Sequence, residues 1–120
     1  MDKTSYVSGA LGEIRAEQHL SAQGFVILAR NYRIPGAEID LIARREDLIV
    51  FAEVKLRRRG AAQGRLSVTR DKQKRISRGA LDFMAKNGLM ACQARFDVIE
   101  IQGESITHLP DAFPYQGPMF

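Results

Sequence analysis

Three residues could do chemistry together: Asp40, Glu53 and Lys55. Glu53 and Lys55 form an E-x-K triplet in Leu48-Ile-Val-Phe-Ala-Glu-Val-Lys55, and Asp40 lies in the preceding apolar segment, Ala37-Glu-Ile-Asp-Leu-Ile-Ala43. Two carboxylates beside one ammonium suit metal-assisted cleavage of a phosphodiester. Mg²⁺ takes oxygen ligands and needs only one or two protein carboxylates, with water and substrate phosphate completing its shell. Asp40 and Glu53 would hold the metal, with the Val54 carbonyl available as a further oxygen. Lys55 would orient a water and offset charge developing on the phosphate. An E-x-K triplet alone carries little weight, since chance supplies one in roughly a third of chains of this length. The competing reading is a Glu53–Lys55 ion pair on an edge strand, with Asp40 merely opening a hairpin.

The elements that must position these residues are legible as patterns. Segments 37–44 and 48–55 are rich in β-branched and apolar residues, and the short Arg45-Glu46-Asp47 joint predicts an antiparallel hairpin. Alternation puts Glu38, Asp40 and Ile42 on one face of the first strand, and Phe51, Glu53 and Lys55 on one face of the second. A turn near Glu46 pairs residues whose numbers sum to 92 or 93, which sets Asp40 opposite or diagonal to Glu53. Both strands look central, where a carboxylate is costly unless it is paired or holds a metal.

Around the hairpin, residues 8–23 predict a helix with Leu11, Ile14, Ala16 and Leu20 on its apolar side, and Phe25–Arg30 a buried strand. Residues 31–36 read as a loop, and 57–68, with three successive arginines, as an exposed mobile one. Thr69 is an N-cap for a helix ending at Asn87-Gly88, with Gln73, Ile76, Ala80, Phe83 and Met84 inward. Strands follow at 94–102 and 105–109. The order α-β-β-β-α-β-β is that of one α/β domain over residues 1–120, a mixed sheet flanked by helices, with irregular tails at 1–7 and 114–120; the tail from Pro110 could lie back on the core through Phe113, Tyr115 and Phe120.

Charge suggests a partner. Of 18 basic residues, ten fall between 55 and 78, against the single acid Asp71. Arg57, Arg58, Arg59, Arg65, Arg70, Lys72, Lys74, Arg75 and Arg78 are the candidate phosphate contacts, and nucleic acid is the commonest polyanion such a patch meets. A solvated helix face is the plainer alternative. The one cysteine, Cys92, excludes an internal disulfide and reads as an apolar filler. The N-terminal segment lacks a signal peptide's apolar region, and no run approaches the roughly 20 residues of a membrane span, so a cytoplasmic protein is expected. His19 and His108 share no ligand spacing and read as structural, and Asp97 reads as the partner of a nearby base.

Gly12-Glu13, Gly24-Phe25, Asn31-Tyr32-Arg33, Glu38-Ile39-Asp40-Leu41-Ile42, Phe51-Ala52-Glu53-Val54-Lys55, Lys72-Gln73, Arg95-Phe96-Asp97-Val98 and Ala112-Phe113 follow one another along the chain. In that order they resemble the YraN-type family of uncharacterised bacterial proteins, which is similar to the restriction-endonuclease-like superfamily and, within it, to archaeal Holliday-junction resolvases. The resemblance implies an α-β-β-β-α-β core with a D…E-x-K centre using Mg²⁺ or Mn²⁺, and a nuclease acting on DNA, branched or flapped structures included. It implies that Glu13 approaches the metal from the first helix and that Gln73 stands near it on the second. Junction cleavage, which needs two cuts, also implies a homodimer. One departure stands out: the family's usual glycine before E-I-D is Ala37 here, preceded by Gly36. A nucleic-acid-binding module that cuts nothing, and an assembly partner whose acids form ion pairs, remain the other readings.

Overall fold

The computed structural model describes residues 3–57 and 68–117, with side chains from residue 11 onward. In chain order the elements are α1 (Lys3–Ala22), β1 (Val26–Ile34), β2 (Ala37–Arg45), β3 (Leu48–Leu56), α2 (Arg70–Lys86), β4 (Gln93–Gln102) and β5 (Ser105–Phe113). The strands form one sheet in the order β1-β2-β3-β4-β5. Neighbours are antiparallel except β3 and β4, which are parallel. A parallel neighbour needs a crossover, and α2 lies within it. The result is the expected α-β-β-β-α-β core with one further edge strand.

Each helix covers one face of the sheet. Ala16 and Leu20 of α1 pack with Leu41, Ala43, Val50, Ala52, Ile99 and Ile101. Ile76, Ala80, Phe83 and Met84 of α2 pack with Ile39, Ile42, Ile49, Phe51, Phe96, Val98 and Phe113. Burial of both faces explains why β2 and β3 read as near-continuous apolar runs rather than clean alternations. The α2 stripe matches its sequence pattern, and Thr69 caps the helix by accepting the Lys72 N–H at 3.2 Å.

Several expectations need correcting. The buried face of α1 is Gly12, Ala16 and Leu20, four residues apart, whereas Leu11 and Ile14 are exposed. A Cβ at Gly12 would stand 2.5 Å from a Leu56 methyl, so glycine lets that side chain lie against the helix. Residues 3–7 are the first turns of α1, not an irregular tail. The strand foreseen at 25–30 runs on through 31–34, and it is a half-exposed edge strand rather than a buried one. It continues because Asn31 takes a positive φ of 50°, which asparagine tolerates better than most residues. β5 extends to Phe113, so Pro110 sits within the edge strand, where its missing N–H costs little. Phe113 is buried as anticipated and Tyr115 is exposed; Phe120 lies outside the described residues.

Candidate metal centre

The hairpin register brings the central residues together. Leu41 pairs with Ala52, a sum of 93, so the next positions out are Asp40 and Glu53. The ladder between β2 and β3 ends at Leu41 and Ala52, and the Asp40 Oδ2 accepts the Val54 N–H at 2.8 Å, so the carboxylate substitutes for a ladder carbonyl. Strict alternation does not hold at this point. Ile39 as well as Ile42 lies in the α2-side core, three residues apart rather than two. The distortion falls opposite Asn31, between the Arg30–Leu41 and Tyr32–Ile39 pairs. Tyr32 then reaches across to α2, donating to Asp82 at 2.5 Å and meeting the Phe83 ring edge-on at 5.1 Å. Burial and that acid push the Tyr32 phenol up to about 12, with the bond to Asp82 the larger cause.

Ala37 causes no difficulty at the start of β2. The positive φ, 81°, belongs to Gly36, and it is there that an added Cβ would collide with the Arg78 guanidinium. Arg78 donates to the Pro35 carbonyl at 2.9 Å and so fastens the β1–β2 turn to α2.

Asp40 and Glu53 are hydrogen-bonded to each other, and their titrations divide. Burial, then the adjoining Glu53, pushes the Asp40 carboxyl up to about 8. Burial acts upward on Glu53 too, but the bond from Asp40 and the ammonium groups of Lys72 and Lys55 outweigh it and hold Glu53 below the usual range. The pair therefore shares one proton, which resides on Asp40 because Glu53 has the cations. Lys55 Nζ is 3.4 Å from Glu53, and Lys72 Nζ is in direct contact with the same oxygen. Burial and the neighbouring Lys72 lower Lys55. Lys72 is raised, since Glu53 overcomes the effect of burial. Asp40, Glu53 and Lys72 open on a cavity of about 420 Å³ whose rim also carries Arg33, Glu38 and Arg75.

The other anticipated site residues divide. Glu13 is half-buried on α1, close enough for its charge to help raise Asp40. Among the described residues, however, no three His, Cys, Asp or Glu side chains gather as a ready ligand set. Gln73 is not brought to the carboxylates. Its amide donates to the Val68 carbonyl at 3.0 Å and accepts from Gln116 at 3.1 Å, which fastens the C-terminal segment to α2. Arg57 is half-buried against Glu100 at 3.0 Å, an ion pair rather than a free phosphate contact. Arg70, Lys74, Arg75 and Arg78 are exposed on α2, with Arg78 also holding the turn. Arg58, Arg59 and Arg65 lie outside the described residues.

Lys72, one of the candidate phosphate contacts, turns inward and pairs with Glu53. The signal was available, since Lys72 stands one turn before Ile76 on the buried stripe. A second cluster was invisible in the sequence. His19 and His108 meet at 3.1 Å, and His108 Nε2 is 2.7 Å from Asp97. Asp97, fully buried and held low despite its burial by His108 and Arg95, can only accept. His108 therefore donates to Asp97 from Nε2, and its Nδ1 faces His19 Nε2, which also lies 2.7 Å from the Gln23 side-chain amide. The chain joins α1 to β4 and β5 on the sheet face away from the carboxylates. Arg95 pairs with Asp97 at 2.9 Å, as the sequence suggested.

The sequence model of Uncharacterised protein family UPF0102 matches residues 12–101. The chain belongs to this family. Among curated relatives, each named only as a UPF0102 protein, that of Desulfosudis oleivorans is 43% identical over 108 residues, covering 88% of either chain. That of Trichlorobacter lovleyi is 44% identical over 119 residues, covering 92% of this chain and 93% of its own. That of Treponema pallidum is 41% identical over 123 residues, covering 94% and 97%. The matched span includes Glu13, the whole hairpin and α2, so the carboxylate pair and both lysines belong to the family's shared region. Among the described residues no helix is long and apolar enough to cross a membrane.

Proposed function

We propose that this chain is a divalent-metal-dependent nuclease that acts on DNA in the cytoplasm, with branched or flapped structures as its substrates. The observation that carries the proposal is the Asp40–Glu53 contact. Two carboxylates in hydrogen-bond contact on central strands cannot both ionise without a cation between them; here Asp40 keeps a proton, and the Lys72 ammonium contacts Glu53. Oxygen donors that call for positive charge fit Mg²⁺ or Mn²⁺. Asp40 and Glu53 would hold the ion, with Glu13 adding negative charge from α1. A divalent ion there supplies Lewis-acid activation of the phosphodiester and of water.

The chain's own groups do the rest. Lys55 orients the attacking water and offsets charge developing on the phosphate. Water adds to phosphorus and one P–O bond breaks, leaving a phosphate monoester and an alcohol. Arg33 and Arg75 on the cavity rim, with Arg70 and Lys74 along α2, hold flanking phosphates. Such contacts position a strand without reading its sequence, so shape rather than sequence should decide cleavage. Cutting a junction symmetrically would take a homodimer.

One observation favours a second reading, a binding module that cuts nothing: Lys72 neutralises Glu53 from within the chain. A panel of labelled junctions, flaps and single strands with Mg²⁺ or Mn²⁺ decides between them. The nuclease reading expects cleavage that Asp40→Asn, Glu53→Gln and Lys55→Ala each abolish. Salt-sensitive binding that survives Lys55→Ala, with no substrate cut under any condition, would establish the binding module instead.

A further inference from the structure

Lys72 lies outside the D…E-x-K set of Asp40, Glu53 and Lys55, yet its ammonium is closer to Glu53 than that of Lys55. Its position is built. Thr69 caps α2 and accepts the Lys72 N–H, so the lysine is fixed in the first turn. From that turn Lys72, with Arg75 and Ile76 a turn further on, lines the same cavity as Asp40 and Glu53. The side chain is one-third exposed and lines the open space alongside Asp40, Arg33 and Arg75.

Resting on the nuclease reading, we propose that Lys72 is an exchange cation that couples metal loading to phosphate binding. In the free protein its ammonium neutralises Glu53. A divalent ion at Glu53 would add a third cation to an oxygen that already carries Lys55 and Lys72, and Lys72, whose side chain lines the cavity, is the one with room to withdraw from that repulsion. The released ammonium stays tethered at the mouth of the cavity, where a substrate phosphate must lie to reach the carboxylates. There it pairs with a non-bridging phosphate oxygen. A phosphate that captures Lys72 removes the metal's competitor, and a metal that displaces Lys72 supplies the phosphate with a cation. Linkage makes the two effects equal. The substrate thus favours loading of the site, and the free protein holds its metal weakly.

Two measurements on the full chain test this. In the first, Mn²⁺ is titrated into metal-free wild type and Lys72→Met, with folding checked by circular dichroism; Lys72→Gln serves as a second variant. Lys72→Met should bind Mn²⁺ at least about fivefold more tightly than wild type. In the second, binding of a short branched DNA is measured in chelator and in Ca²⁺. Ca²⁺ should tighten DNA binding by wild type several-fold more than it tightens binding by Lys72→Met, which keeps only the direct metal–phosphate contact. Wild type that binds Mn²⁺ alongside variants that bind it no better would overturn the exchange role and leave the metal site standing. Equal Ca²⁺ stimulation of both proteins would overturn it as well. Wild type that binds no Mn²⁺ would overturn both this inference and the nuclease reading.

Discussion

Replacing Asp40 by asparagine should make the protein more stable, by an amount that depends on pH. In the unfolded chain this carboxyl ionises near 3.8, whereas in the fold burial and Glu53 raise it to about 8. Between those values the unfolded chain has released a proton that the fold retains. Stability therefore falls as pH rises from 4 to 8 on account of this group. At about 1.4 kcal/mol per pH unit the whole displacement corresponds to about 6 kcal/mol. Glu53, which is lowered in the same contact, returns part of that. Asparagine carries no such proton and can still accept the Val54 N–H. A gain of about 2–4 kcal/mol at pH 8, shrinking to less than half at pH 5, is the expected outcome. Urea unfolding of both proteins in chelator at the two pH values measures it. An asparagine variant less stable than wild type at pH 8, or a gap that does not shrink at pH 5, would refute the assignment of a like-charge pair.

Glu53→Gln should act in the opposite direction, because it leaves the ammonium groups of Lys72 and Lys55 facing a partly buried site; a loss of about 1–3 kcal/mol in the same urea experiment is expected. Gly36→Ala should cost about 1–2 kcal/mol, since it forces a φ of 81° on alanine and drives the Arg78 guanidinium from the β1–β2 turn. His19 is held neutral by burial and by His108, which lower it. Its contribution to stability is complete above its ordinary value of 6.5 and declines below it, as the unfolded chain takes up a proton that the fold resists. His19→Gln should flatten the wild-type decline between pH 6.5 and 5, whereas the loss from Asp97, also lowered, begins only as pH drops through the carboxylate range.

The parts of this molecule legible in the sequence are those set by local period and turn chemistry. The two-residue joint at Glu46 and Asp47 fixed the register, with Glu46 at a positive φ of 55°, and the register alone set Asp40 beside Glu53. Thr69 and Asn87 marked the ends of α2 because capping is a short-range event. What escaped was decided by tertiary contact. Whether 31–34 would be loop or strand depended on Asn31 accepting a positive φ against β2. The partners of Gln73 came from Val68 and from Gln116, 43 residues away. His19 and His108 meet across 89 residues, which no spacing rule anticipates. Lys72 is the instructive case: its sequence neighbours are basic, and the charge run concealed a residue whose place on the helix stripe turns it inward.

The central claim is that Asp40 and Glu53 together hold a divalent ion, and calorimetric titration of Mn²⁺ into the wild-type chain, Asp40→Asn and Glu53→Gln tests it most directly. The structure leads us to expect saturable binding by wild type that either substitution abolishes, with Asp40→Asn folded and more stable than its parent. Unchanged Mn²⁺ binding in both variants would contradict the account and leave the two carboxylates as structural ion-pair partners.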